Sequence, residues 1–176
     1  MRPNLNMLIV NNFHFNSFKY SYHNCTDSKC KTCEYSLHYS FIRLNNFYFP
    51  IISHSSCNSK GCIYIIACLL CKNTYYIGET NSLKERMAVH RSTIKNYNIY
   101  NSNKNNCEVG FHFALKGHDP NKHFRFLIFD TNKNEKEIRL SVETDVISIF
   151  KMNNMNILNS KSKQPSPYTV KSLCFS

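Results

Sequence analysis

The stretch from Gly61 to His90 constrains what this chain can fold into more than any other. Two short apolar runs, Ile63 to Ala67 and Thr74 to Ile77, are rich in β-branched and aromatic residues, the side chains that suit a pleated sheet. Between them lies Cys68-Leu69-Leu70-Cys71-Lys72-Asn73, short enough to force the runs into a hairpin and carrying a C-x-x-C pair. Gly78 is expected to break the second strand, and Ser82 with Glu85 reads as a capping box that opens a helix. On that helix Leu83, Met87, His90 and Ile94 form one stripe, with Arg86 a turn before His90. Tyr64 and Tyr76, on adjacent strands, therefore face an arginine and a histidine from one helix side.

Two cysteine sets suggest metal. Cys25, Cys30 and Cys33 precede two candidate strands, Tyr39 to Leu44 and Phe47 to Ile52, joined by an Asn45-Asn46 turn, and Cys57 follows them. Four thiolates of this kind can close a tetrahedral zinc site, with His23, His38 and His54 competing for the place of Cys57. The second set is Cys68 and Cys71 with His112-x5-His118, the composition of a Cys2His2 zinc site, with His123 as a substitute for His118. His112 falls on a short helix from Glu108 to Leu115, which Gly117 ends. Residues 123 to 129 read as a third strand, and Asn134 to Phe150 as the clearest helix, with Ile138, Val142, Val146 and Ile149 as its buried stripe. Glu143 is unusual there, a carboxylate with Leu140 and Ile147 one turn away on either side.

The 22 Lys plus Arg against 11 Asp plus Glu give a net charge of +11, which favours a polyanionic partner, nucleic acid before membrane. No apolar run reaches the ~18 residues of a membrane helix. The N-terminus lacks the apolar core of a secretory signal, so an intracellular setting with reduced thiols is expected. The reading divides the chain into a linker-like segment (1–22), a Cys-rich zinc-binding appendage (23–58), a main domain (59–159) and a disordered basic tail (160–176). Asn96 to Asn106 reads as a mobile loop.

The order Cys62-Ile63-Tyr64, eleven residues, Tyr76-Ile77-Gly78-Glu79-Thr80, then Leu83, Arg86 and His90 resembles the core of GIY-YIG nucleases. It is most similar to the domains at the C-terminus of Penelope-like retroelement reverse transcriptase polyproteins, which also carry a C-x-x-C between the half-motifs and two downstream histidines. One departure is Cys62, which stands where the name-giving glycine belongs. The resemblance implies a small α/β fold, a three-stranded, mostly antiparallel sheet flanked by helices. It implies phosphodiester hydrolysis on DNA, by nicking, with Mg2+ or Mn2+ held by Glu143 (Asp145 being the other candidate), and a nuclear location. Tyr64 would activate or orient water, Tyr76 position the phosphate, Arg86 neutralise it, and His90 relay a proton or hold Tyr64. Gly78, Thr80 and an asparagine after the last helix, Asn156 or Asn159, would border the substrate. The zinc ions would be structural. An upstream reverse transcriptase in a longer product is the expected companion. The other readings are a zinc-containing nucleic-acid-binding module whose nuclease centre has decayed, and a purely structural fold.

Overall fold

The computed structural model describes residues 21–45, 47–97 and 107–159. Nearly all of the linker-like segment, most of the Asn-rich loop and the basic tail lie outside the described residues. The elements are β1 (Phe41–Leu44), β2 (Phe47–Pro50), β3 (Lys60–Cys68), β4 (Thr74–Ser82), α1 (Leu83–Asn96), α2 (Glu108–Ala114), α3 (Pro120–His123), β5 (Phe124–Asp130), α4 (Lys136–Met152) and β6 (Asn156–Ile157).

The two apolar runs pair as the antiparallel hairpin β3–β4, with Tyr64 opposite Gly78 and Ile66 opposite Tyr76. β5 joins the other side of β3, also antiparallel. β3 is therefore central, and every residue from Gly61 to Cys68 is buried, as a strand covered on both faces requires. The sheet order β5-β3-β4-β6 contains one strand more than the sequence suggests. β6 pairs in parallel with Thr74 and Tyr75 alone, and two residues carry no readable periodicity.

Alternation along β3 splits the core into two layers. Cys62, Tyr64, Ile66 and Cys68 meet Met87 and Ile94 of α1 and Val109 and Phe113 of α2. On the opposite face Ile63, Ile65 and Ile77 meet Val146, Ile147 and Phe150 of α4 and Ile42, Leu44 and Phe49 of the β1–β2 hairpin. The residues of 23–58 are thus built into both layers. Leu37 N–H donates to Phe126 O (2.7 Å) and Ile52 N–H to Phe129 O (3.1 Å). Phe49 stacks on Phe129 at 4.8 Å, and burying such a ring stabilises by roughly 1.5–3 kcal/mol.

Three local expectations change. Gly78 does not end β4, which continues to Ser82. Its missing side chain serves the neighbouring strand instead, because a Cβ there would collide with the hydroxyl end of Tyr64. Ser82 makes no side-chain cap for α1; the Leu83 N–H is satisfied by Ser59 O at 3.3 Å. The buried face of α4 is Arg139, Val146, Ile147 and Phe150, rotated from the apolar stripe the sequence displays. Phe150 turns edge-on to Phe49 and Tyr75, both at 5.2 Å, and a buried ion pair draws Arg139 inward. No described helix is long and apolar enough to cross a membrane.

Candidate active site and metal clusters

Tyr64 is fully buried on β3 and its ring lies over Gly78. Its hydroxyl is 2.9 Å from His90 Nε2 and accepts a 2.9 Å hydrogen bond from Arg86 Nε. Leu83, Met87 and Ile94 anchor α1 in the core, which fixes where Arg86 and His90 point. Tyr76 stacks obliquely at 6.4 Å from Tyr64 and 5.7 Å from His90, edge to face. The structure thus brings these four side chains together.

Burial and the Arg86 charge set the protonation of this cluster. Burial, reinforced by Tyr76, holds Tyr64 well above an ordinary phenol even though Arg86 pulls the other way. Burial and then the Arg86 charge hold His90 down at about 3, so its ring is neutral. With Arg86 donating to the Tyr64 oxygen, a neutral His90 carrying its proton on Nδ1 can accept the tyrosine proton at Nε2. Burial also raises Tyr76.

Glu143, on α4, acts on this group electrostatically from the other layer. α4 packs opposite α1, yet the Glu143 charge raises both Tyr64 and Tyr76. The outer side of β4 explains the access. β6 covers only Thr74 and Tyr75, and Asn159 covers Ile77. Among the described residues no strand pairs with β4 from Gly78 to Ser82 on that side. On this stretch Arg139 Nε donates to Glu79 Oε2 at 2.7 Å, with side-chain exposures of only 7% and 19%. Arg139 Nη1 also donates to Lys133 O and Asn134 O, both at 2.8 Å. Glu143 follows Arg139 by one helical turn on the face that meets the sheet. A model of the GIY-YIG catalytic domain matches residues 60–156, more than half of the chain.

The chain belongs to the GIY-YIG family.

That family is one of nucleases, which makes DNA the substrate class and a divalent metal the expected cofactor class. No curated protein and no solved structure matches the chain. The GIY-YIG motif residues and their spacing thus carry the assignment together with the geometry above.

Two side-chain clusters of this GIY-YIG chain have the composition of metal sites. The ligand atoms of Cys25, Cys30, Cys33 and Cys57 lie within 4.8 Å of one another, as do those of Cys68, Cys71, His112 and His118. Both are the donor sets that zinc prefers. In the first, burial raises Cys30, but backbone N–H groups of Cys33 and Thr32 outweigh it and bring the thiol to about 7. The competing histidines are otherwise engaged: His23 Nε2 meets His54 Nδ1 at 3.2 Å, and His38 meets Ser36 Oγ at 3.1 Å. In the second, Cys71 Sγ stands 3.3 Å from His118 Nε2, and His112 Nε2 is buried with no hydrogen-bond partner, an orphan that a metal would satisfy. His123 Nδ1 instead accepts from Asp119 N–H at 3.0 Å.

The residues expected to border the substrate are arranged differently. Both ends of the Asn159 carboxamide are spent on Ile77, accepting from its N–H (3.0 Å) and donating to its C=O (2.7 Å). Asn156 donates to Thr74 Oγ1. The Thr80 hydroxyl closes on Ser82 N and O. These groups hold the backbone of β4 beside the tyrosines. Sequence reasoning missed the Glu79–Arg139 pair, whose partners are 60 positions apart in the chain.

Proposed function

We propose that this chain is a Mg2+- or Mn2+-dependent endonuclease that nicks DNA, derived from a Penelope-like retroelement and acting in the nucleus, where an upstream reverse transcriptase would be its companion. The observation that carries the reading is the Tyr64 hydroxyl, bonded at once to a fixed guanidinium and a neutral imidazole, with a carboxylate acting on it from α4.

The residues divide the chemistry as follows. Arg86 offers its remaining N–H donors to the scissile phosphate and stabilises the charge that grows on it. Tyr64 is a neutral hydroxyl, so it passes a proton onward rather than acting as a standing phenolate. As its oxygen takes a proton from the attacking water, its own proton moves to His90 Nε2. An arriving phosphate offsets the Arg86 charge that helps to depress His90, which makes the imidazole a better acceptor when substrate is bound. Tyr76 confines the phosphate beside this pair. Glu143 would hold the divalent ion, which when bound supplies charge stabilisation at the phosphate and the leaving oxygen. The two Cys-containing clusters would hold structural zinc, bracing the segment 23–58 and α2 against the sheet.

The test is relaxation of supercoiled plasmid with Mg2+. The wild-type chain should nick, while Tyr64→Phe, Arg86→Ala and Glu143→Gln should each lose about 10²-fold or more yet still retard DNA on a gel. A wild-type chain that binds DNA and cuts none would establish the decayed, binding-only module instead.

A further inference from the structure

Four of the large apolar side chains that face solvent flank the Cys2His2 cluster. Leu69 (55% exposed) and Leu70 (49%) form the tip of the β3–β4 hairpin between Cys68 and Cys71. Phe111 (46%) and Leu115 (38%) lie on either side of His112. Exposed apolar residues gathered in one place mark a contact surface, unlike the same residues scattered singly.

The tip is held rather than loose. Leu69 N–H donates to His123 O at 2.9 Å, Cys71 N–H approaches Cys68 Sγ at 3.3 Å, and Asn73 closes the turn with φ +55°. Its charged neighbours are cationic. Lys72 and Lys116 are exposed, and neither makes an ion pair among the described residues. The nearby Asp119 carboxylate is taken up by Lys122 and by Asn121 N–H. A fixed apolar point beside two exposed lysines suits a stacked polyanion better than an apolar protein groove.

Position links this surface to the cleavage centre. Cys68 lies four residues beyond Tyr64 on β3, and the two side chains share a sheet face. At 3.3 Å per residue the separation is about 13 Å, or about four base-pair steps of 3.4 Å. Apolar side chains that enter between base steps unstack them, and lysines on the adjoining phosphates supply the electrostatic attraction.

We propose that Leu69 and Leu70, backed by Phe111 and Leu115, form a wedge that parts stacked bases of bound DNA within about four base pairs of the cut. The proposal rests on the nuclease reading. It assigns the Cys2His2 hairpin a role in distorting the substrate beyond bracing the fold.

The experiment uses the full chain purified with its zinc and duplexes carrying one 2-aminopurine at successive positions, with Ca2+ replacing Mg2+ to hold cleavage. The nick is mapped separately with Mg2+. Wild type should raise 2-aminopurine fluorescence at a step within about four base pairs of the mapped nick. Leu69→Ser with Leu70→Ser should abolish that rise and weaken binding about tenfold. Because both leucines are exposed, circular dichroism and zinc content should stay unchanged. Phe111→Ser gives an independent second variant with a smaller effect. Lys72→Gln with Lys116→Gln should instead make the salt dependence of binding shallower by about one to two units of log–log slope. A chain that nicks while fluorescence stays flat at every step overturns the wedge and leaves the nuclease standing. The same holds if the leucine variant keeps both affinity and fluorescence, which would mark the tip as a protein-facing surface. A chain that neither nicks nor binds overturns both.

Discussion

The Tyr64 hydroxyl and His90 Nε2 are 2.9 Å apart in the buried layer between β3 and α1, where burial holds the imidazole neutral. The His90 pKa falls from an ordinary 6.5 to about 3, chiefly by burial and then by Arg86. A histidine held below its unfolded value binds its proton more weakly in the native state. Its contribution to stability is complete above pH 6.5 and is lost as pH falls toward 3, by up to about 1.4 kcal/mol per unit. His90→Gln keeps an acceptor for Tyr64 and cannot titrate. In urea melts, the stability difference between wild type and His90→Gln should therefore shrink steadily from pH 6.5 to pH 4. A constant difference over that range would mean His90 is not held neutral.

Gly78 is the cheapest place to break the site without touching a polar group. A methyl at Gly78 meets the hydroxyl end of Tyr64, which is wedged between Arg86 and His90. Gly78→Ala should cost about 1–3 kcal/mol by overpacking and should cut nicking about as much as Tyr64→Phe. Thermal melts beside plasmid relaxation decide it.

What the sequence made legible follows the range of the interactions. Tyr64, Tyr76, Arg86 and His90 sit within one hairpin and one helix, where periods of 2 and 3.6 fix who faces whom. The same holds for the C-x-x-C loop. Between distant segments only the ligand sets were legible, because Cys and His composition marks them; relations set by packing or by a single ion pair were not. The apolar stripe of α4 is rotated because the Glu79–Arg139 ion pair and the ring of Phe150 decide the face, and neither shows in hydrophobic period. Gly78 was misread for a related reason. A strand glycine signals a break or a close approach, and only the register Tyr64↔Gly78 tells them apart. Asn159 is likewise held by the edge of β4, where its carboxamide pairs with Ile77, a relation no sequence period encodes.

The Glu79–Arg139 pair ties α4 to β4 one turn before Glu143. Arg139→Met leaves a mostly buried carboxylate without its partner and should cost about 3 kcal/mol. Adding Glu79→Gln should restore much of that, since the lone charge is gone. The position of Glu143 should still suffer in the double variant. Mn2+ affinity, measured by electron paramagnetic resonance, is expected to weaken in both, whereas DNA retardation without metal should not change. Unaltered Mn2+ binding would show that the ion pair serves stability alone.

Zinc stoichiometry separates the two clusters. With four donors gathered within 4.8 Å in each, the chain should carry two zinc ions, measurable by elemental analysis after purification under reducing conditions. His118→Ala and Cys71→Ser should each lower the count to about one, and Cys57→Ser should remove the other ion. The consequences should differ in place. Cys57 is fully buried beside Tyr22, Tyr35 and Phe126, so loss of the first zinc should destabilise the layer under β5 and lower the melting temperature by several degrees. His118 is partly exposed, just beyond the end of α2. Loss of that zinc should free the hairpin tip and speed amide exchange at Leu69 to Lys72, with a smaller thermal shift. A variant lacking His118 that retains two zinc ions would return His123 to candidacy as the fourth ligand.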